Sequence, residues 1–149
     1  MKFDYQIYNN AALVASLLYS VLRRRRRINI AISAAILPLV LDESVCNLVE
    51  NRHFSLMNIL QIGKNKLLNF NEQYYDALPV LVDGVSVLLD FKLILLTDGN
   101  LVFADNASRM QDNSESMRLE KIVRVFSLLY HDAENMKLSN LYRQLNIKL

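Results

Sequence analysis

Five consecutive arginines, Arg23–Arg27, divide the most apolar part of this chain in two. Ala11–Leu22 precedes them and Ile28–Leu41 follows, 12 and 14 residues long. No other feature constrains the fold so tightly. A bilayer-spanning helix needs about 20 apolar residues, so neither run is long enough, and the arginines keep them from merging. A secretory leader is not expected either. Its positive charge would precede its apolar region, and here the charge follows. The expectation is a cytoplasmic chain with no membrane partner.

Composition narrows the class further. The chain has 149 residues, 52% of them apolar, and a net charge of +2. High apolar content with low net charge is incompatible with disorder over most of the length. The length suits one domain, 1–149, with a sizeable core. The single cysteine, Cys46, cannot form an intrachain disulfide, which fits a reducing compartment. Three scattered glycines, Gly63, Gly84 and Gly99, cannot build a phosphate-cradling loop.

Patterning predicts an α+β fold that is mainly α-helical, with one β-hairpin and a winged-helix-like arrangement. Residues 1–8 are aromatic-rich without helical period and read as an N-terminal arm or edge strand. The helical part covers 9–92. Asn9 or Asn10 is placed to cap a first helix whose stripe is Leu13, Val14, Leu17, Leu18, Val21 and Leu22. Ile28–Leu41 is apolar all round, as a buried helix is, and Pro38 should bend or end it. Asp42–Ser44 suits the next helix start, and that helix should stop near Asn51. Ser55 and Asn65 are further caps, and Pro79 suits the first turn of a new helix, Val80–Leu89. Asp98-Gly99 between two apolar runs predicts a tight hairpin over 93–104, because a type I′ turn needs positive φ at both central residues. A polar loop, 105–116, and C-terminal helices with a tail, 117–149, complete the chain.

Candidate chemistry is sparse. Cys46 and His53 could share a helix face only if one helix spanned both, and a turn is expected between them. Glu50 and His53 form one Glu-x-x-His pair, but a di-iron bundle needs two pairs and two more glutamates. Zinc needs a Cys/His cluster that is not present. No catalytic residue, metal or cofactor is expected. The arginine block is the main charge feature. Residues 1–30 hold six basic and one acidic side chain, while 31–149 hold eleven and fourteen. A solvated helix end is one reading of Arg23, Arg24, Arg25, Arg26 and Arg27, but dipole compensation needs one or two cations, so the five together also point to an acidic partner surface or nucleic-acid phosphate. The helix before the hairpin presents Asp83, Ser86 and Asp90, which phosphate would repel, so the wing is expected to meet protein.

Several segments resemble a known family. These are Asn9-Asn10-Ala11-Ala12-Leu13, the run Ala35–Leu41 with its Leu-Pro-Leu-Val-Leu core at Leu37–Leu41, the capped helix at Ser55, the Asp-Gly hairpin, and Leu141–Ile147. The chain resembles the small middle component of three-component ABC-ATPase systems, of which Lamassu defence systems are members. Leu145-Asn146-Ile147-Lys148 stands where that family often has Leu-Gly-Val-Arg. The resemblance implies a non-catalytic bridging subunit linking an SMC-like ABC ATPase to an effector, a nuclease, in anti-phage or anti-plasmid defence. DNA would be met only through the complex. The docking elements expected are the arm (Phe3, Tyr5, Ile7, Tyr8), the hairpin (Leu101, Phe103) and the tail (Tyr142, Leu149). The alternative is a winged-helix DNA-binding regulator that contacts phosphates through Arg23–Arg27.

Overall fold

Two helices run longer than their local signals suggest. The computed structural model describes residues 2–62, 67–105 and 116–149, with side chains from residue 10 onward. In it α1 spans Lys2–Arg25. The segment 1–8 is therefore no separate arm, because from Lys2 its backbone is helical. No glycine or proline interrupts it, and extending an existing helix costs far less than nucleating one. The Asn9 and Asn10 caps are accordingly not used. The side chains of Phe3, Tyr5, Ile7 and Tyr8, and the proposed cap Asn65, lie outside the described ones.

At the other end α1 stops within the arginines. Arg26 adopts φ 69° and its N–H donates to Leu22 O at 2.8 Å. A short strand that the patterning does not predict, β1 (Arg27–Asn29), follows. Asn29 then caps α2 (Ile30–Leu41), its side chain accepting from the Ile32 amide. As expected, α2 is buried all round, with every residue from Ser33 to Val40 inside. Each fully buried Ile or Leu contributes about 1.5–3 kcal/mol. Pro38 neither ends nor breaks it. The turn comes at Asp42, which caps α3 (Glu43–Arg52) by accepting from the Ser44 amide at 2.8 Å. The two helices meet at 89°.

Ser55 and Asn58 cap α4 (Leu56–Ile62) reciprocally, each side chain accepting from the other's amide. The two helices expected on either side of Pro79 are one helix, α5 (Phe70–Asp90). An interior proline costs about 3 kcal/mol. Here Phe70, Tyr74 and Ala77 before it and Leu81, Val85 and Leu88 after it share one buried stripe that outweighs the cost.

The hairpin is present as β2 (Ile94–Thr97) and β3 (Asn100–Phe103), with φ 51° at Asp98 and 74° at Gly99. Beyond the expected pair, β1 joins the far side of β3, giving the antiparallel order β1-β3-β2. Ile28, Ile94, Leu101 and Phe103 face the core, and Arg27, Leu95 and Val102 line the opposite face. Ser116 caps α6 (Met117–Glu134), its side chain accepting from the Leu119 amide, and α7 (Leu138–Gln144) precedes the tail.

The buried side chains form one cluster. Helix α2 packs against α5, α6 and α7, and α1 lies across α5 and α6. Gly84 permits that close crossing: a Cβ there would stand 3.0 Å from Val14 Cγ1 and 3.1 Å from the Ala15 nitrogen. Ala11 and Ala15, small residues one turn apart on α1, lie at this approach.

Candidate interaction surfaces

The five arginines do not make one basic stripe. Arg25 lies with its guanidinium 4.5 Å from the Tyr130 ring centre, and its Nη2 donates to Glu134 Oε1 at 2.7 Å. The anion that the arginines require is thus partly supplied by α6 of the same chain. Arg26 stacks over Phe103 at 4.9 Å, and its carbonyl accepts from the Phe103 amide. Arg27 belongs to β1, opposite Val102. Arg23, Arg24, Arg26 and Arg27 are exposed on the helix end and the sheet. The left-handed residue at Arg26 turns the chain between them, so successive side chains point in different directions.

Three residues expected at an interface lie in the core instead. Leu101 is fully buried, because β3 is the central strand and its odd positions face inward. Phe103 is buried beside Tyr19. The Tyr142 hydroxyl donates to Ala31 O at 2.8 Å and lies 3.4 Å from the Tyr74 hydroxyl. Burial, then the bond to Tyr74, pushes the Tyr142 phenol well above its ordinary range. Leu149, by contrast, is 93% exposed.

Exposed apolar residues include Val82, Met117 and Leu128, and two apolar grooves lie at the two ends of α5. At the C-terminal end a groove of about 210 Å³ runs between α1 and α5, lined by Ala15, Ser16, Tyr19, Val87, Phe91 and Leu93. Phe91 is 71% exposed. At the N-terminal end a groove of about 460 Å³ is lined by Met57, Leu60, Leu67, Leu68, Gln144 and Asn146. The tail is tied beside it: the Lys148 amide donates to Asn71 Oδ1 at 2.7 Å, and the Tyr75 hydroxyl donates to the Lys148 carbonyl. A 21-residue helix at 1.5 Å per residue separates these surfaces by about 30 Å. Between them the exposed side of α5 carries Glu72, Asp76, Asp83 and Asp90 and no basic residue. Asp83 and Asp90 were legible in the sequence; Glu72 and Asp76 were not singled out. Phe91 was missed because it follows the last helical residue and breaks the apolar stripe.

The chemical candidates are occupied in structural ways. Cys46 is buried in α3, and its Sγ donates to Val40 O at 3.0 Å. Burial pushes the thiol up from 9.0 to about 11, with Lys121 opposing the shift. A thiol so placed is a poor nucleophile at neutral pH. His53 is an exposed left-handed cap after α3, and Glu50 accepts from Arg124 Nε at 2.9 Å. That bond raises the Arg124 pKa. Among the described residues no group of three potential ligands could hold a metal ion, and no single helix is long and apolar enough to cross a membrane.

No curated protein and no solved structure matches this chain. A family model does match, over residues 2–149: ABC-three component (ABC-3C) system Middle Component 3. With that coverage, the chain belongs to this family and is a middle component of an ABC-three component system.

Proposed function

We propose that this middle component is a non-catalytic bridging subunit. It joins an SMC-like ABC ATPase to an effector, a nuclease, in an anti-phage or anti-plasmid complex of the Lamassu kind. The observation that carries this reading is the pair of exposed apolar surfaces at opposite ends of α5. Contiguous exposed apolar surface marks interfaces, and a bridge needs two that do not overlap. Phe91, an aromatic side chain standing in solvent beside a groove, has the character of an interface anchor. The acidic side of α5 disfavours direct docking of this helix on nucleic acid. DNA is then reached through the complex.

Co-expression of the three components and purification through a tag on this chain is the test. The expected result is one assembly. Phe91→Asp should release one component and Leu68→Asp the other, each leaving its counterpart bound. If neither component co-purifies, the reading fails. Salt-sensitive DNA binding by the isolated chain, abolished when Arg23–Arg27 become glutamines, would put the DNA-binding regulator in its place.

A further inference from the structure

The sheet has two edges, and only one is closed. At β1 the outward amide of Asn29 donates to the Tyr130 hydroxyl at 2.7 Å. At β2 the pairing with β3 fixes which groups look outward. Thr97 and Asn100 close the two-residue turn, so Thr97 and Leu95 direct their main-chain groups to β3, and Leu93 its carbonyl, while the Leu93 amide donates to Leu88 O. The Ala104 amide, which donates to Leu93 O at 3.0 Å, continues that alternation. Ile94 and Leu96 therefore present their N–H and C=O groups outward, and no described residue pairs with them. The strand has none of the usual guards. It contains no lysine, proline or bulge, and Leu95 and Leu96 are 57% and 53% exposed.

We propose that this edge seats β2 of a second copy of this chain, antiparallel about a two-fold axis at Leu95. Outward groups must meet outward groups, so Ile94 of one copy falls opposite Leu96 of the other. Each such pair exchanges two main-chain hydrogen bonds, and symmetry supplies the pair twice. Leu95 meets its own symmetry mate in the close, non-hydrogen-bonded position, about 4.5 Å between Cα atoms. The charges at the strand ends choose the occupant. Lys92 stands before the strand and Asp98 after it, both at left-handed turn positions (φ 57° and 51°), so antiparallel pairing brings each Lys92 to the same end as Asp98 of the second copy. Both residues are exposed, and the symmetry makes two such opposite-charge pairs. The edge is thus complementary to itself in hydrogen bonding, apolar contact and charge.

Sedimentation of the full chain over a wide concentration range tests this, with hydrogen exchange at both extremes. The expected result is a reversible monomer–dimer equilibrium, with the Ile94 and Leu96 amides protected only in the dimer. Leu96→Pro removes one outward donor without touching the β2–β3 ladder and should leave a folded monomer. Should that variant fail to fold, Lys92→Asp decides: it places like charges at both ends and should weaken the dimer roughly tenfold or more. Adding Asp98→Lys to it should restore association. A monomer at every concentration overturns the proposal. So does a dimer that ignores both variants or leaves these amides unprotected. None of these outcomes depends on the ATPase or the effector, so the bridging role stands or falls separately.

Discussion

Helix α2 and the hairpin are both built from apolar runs, and they end in opposite environments. Ile30–Leu41 lies among α5, α6 and α7, so every side of it finds a partner. Leu93–Ala104 forms the margin of the sheet, so one face and one edge are left over. Inward residues Ile94 and Leu101 are buried as completely as Ile36 and Leu37, while Leu95, beside Ile94, is more than half exposed. Apolar character alone does not tell core from interface. The difference is whether an element has neighbours on every side, and the leftover side is where further protein is expected.

The largest effect should come from testing the two runs against each other. Leu37→Ala in α2 empties a closed site and should cost about 2–5 kcal/mol, whereas Leu95→Ala should stay within about 0.5 kcal/mol. Denaturant titration of both variants checks this. Equal losses would mean that the hairpin's outer face is covered in the isolated chain.

A second effect probes how well the buried side is sealed. The Cys46 thiol, hydrogen-bonded to the last turn of α2, titrates at about 11 in the folded chain against an ordinary 9.0. The unfolded chain therefore loses its proton first. Stability from this group is fully present below about pH 9 and is lost as the pH rises towards about 11. The total is about 2–3 kcal/mol. Measured unfolding free energies should fall across that window, and Cys46→Ala should flatten the fall.

The smallest effect concerns the closed edge. Tyr130→Phe leaves the ring beneath Arg25 but removes the acceptor for the Asn29 amide. A loss of about 1 kcal/mol is expected, with faster exchange at Asn29 and no change at β2. Changes at both edges would show that the sheet responds as a unit.

How far these features were legible depended on the reach of the signal. The Asp98-Gly99 turn, the helix start at Asp42–Ser44, the Ser55 cap and the buried character of α2 were readable, because each is decided within a few residues. Strand β1 was not. Arg27–Asn29 has no strand pattern of its own and is extended because β3, more than seventy residues later, offers a free side. The single α5 was missed for a related reason: Pro79 is a local stop signal, overruled by a buried stripe that other helices supply. In the candidate site, Asp83 and Asp90 were read as presented outward, whereas Glu72 and Asp76 were not singled out. Leu101 and Phe103 lie in the core because β3 is the central strand, which is not known until the third strand is, and Tyr142 on α7 does so because its partners, Ala31 and Tyr74, are distant in sequence.

The sequence by itself determined where α3 and α4 begin, where the hairpin turns and which helix is fully enclosed. Those outcomes follow from capping side chains, from the positive φ that Asp98-Gly99 accepts, and from an uninterrupted apolar run. The tertiary structure decided which parts of the apolar surface remain open and what each arginine does. Arg25 is drawn to Tyr130 and Glu134, and Arg26 to Phe103, by partners that only folding brings near. Burial and pairing depend on distant residues, so five identical side chains in a row take different roles.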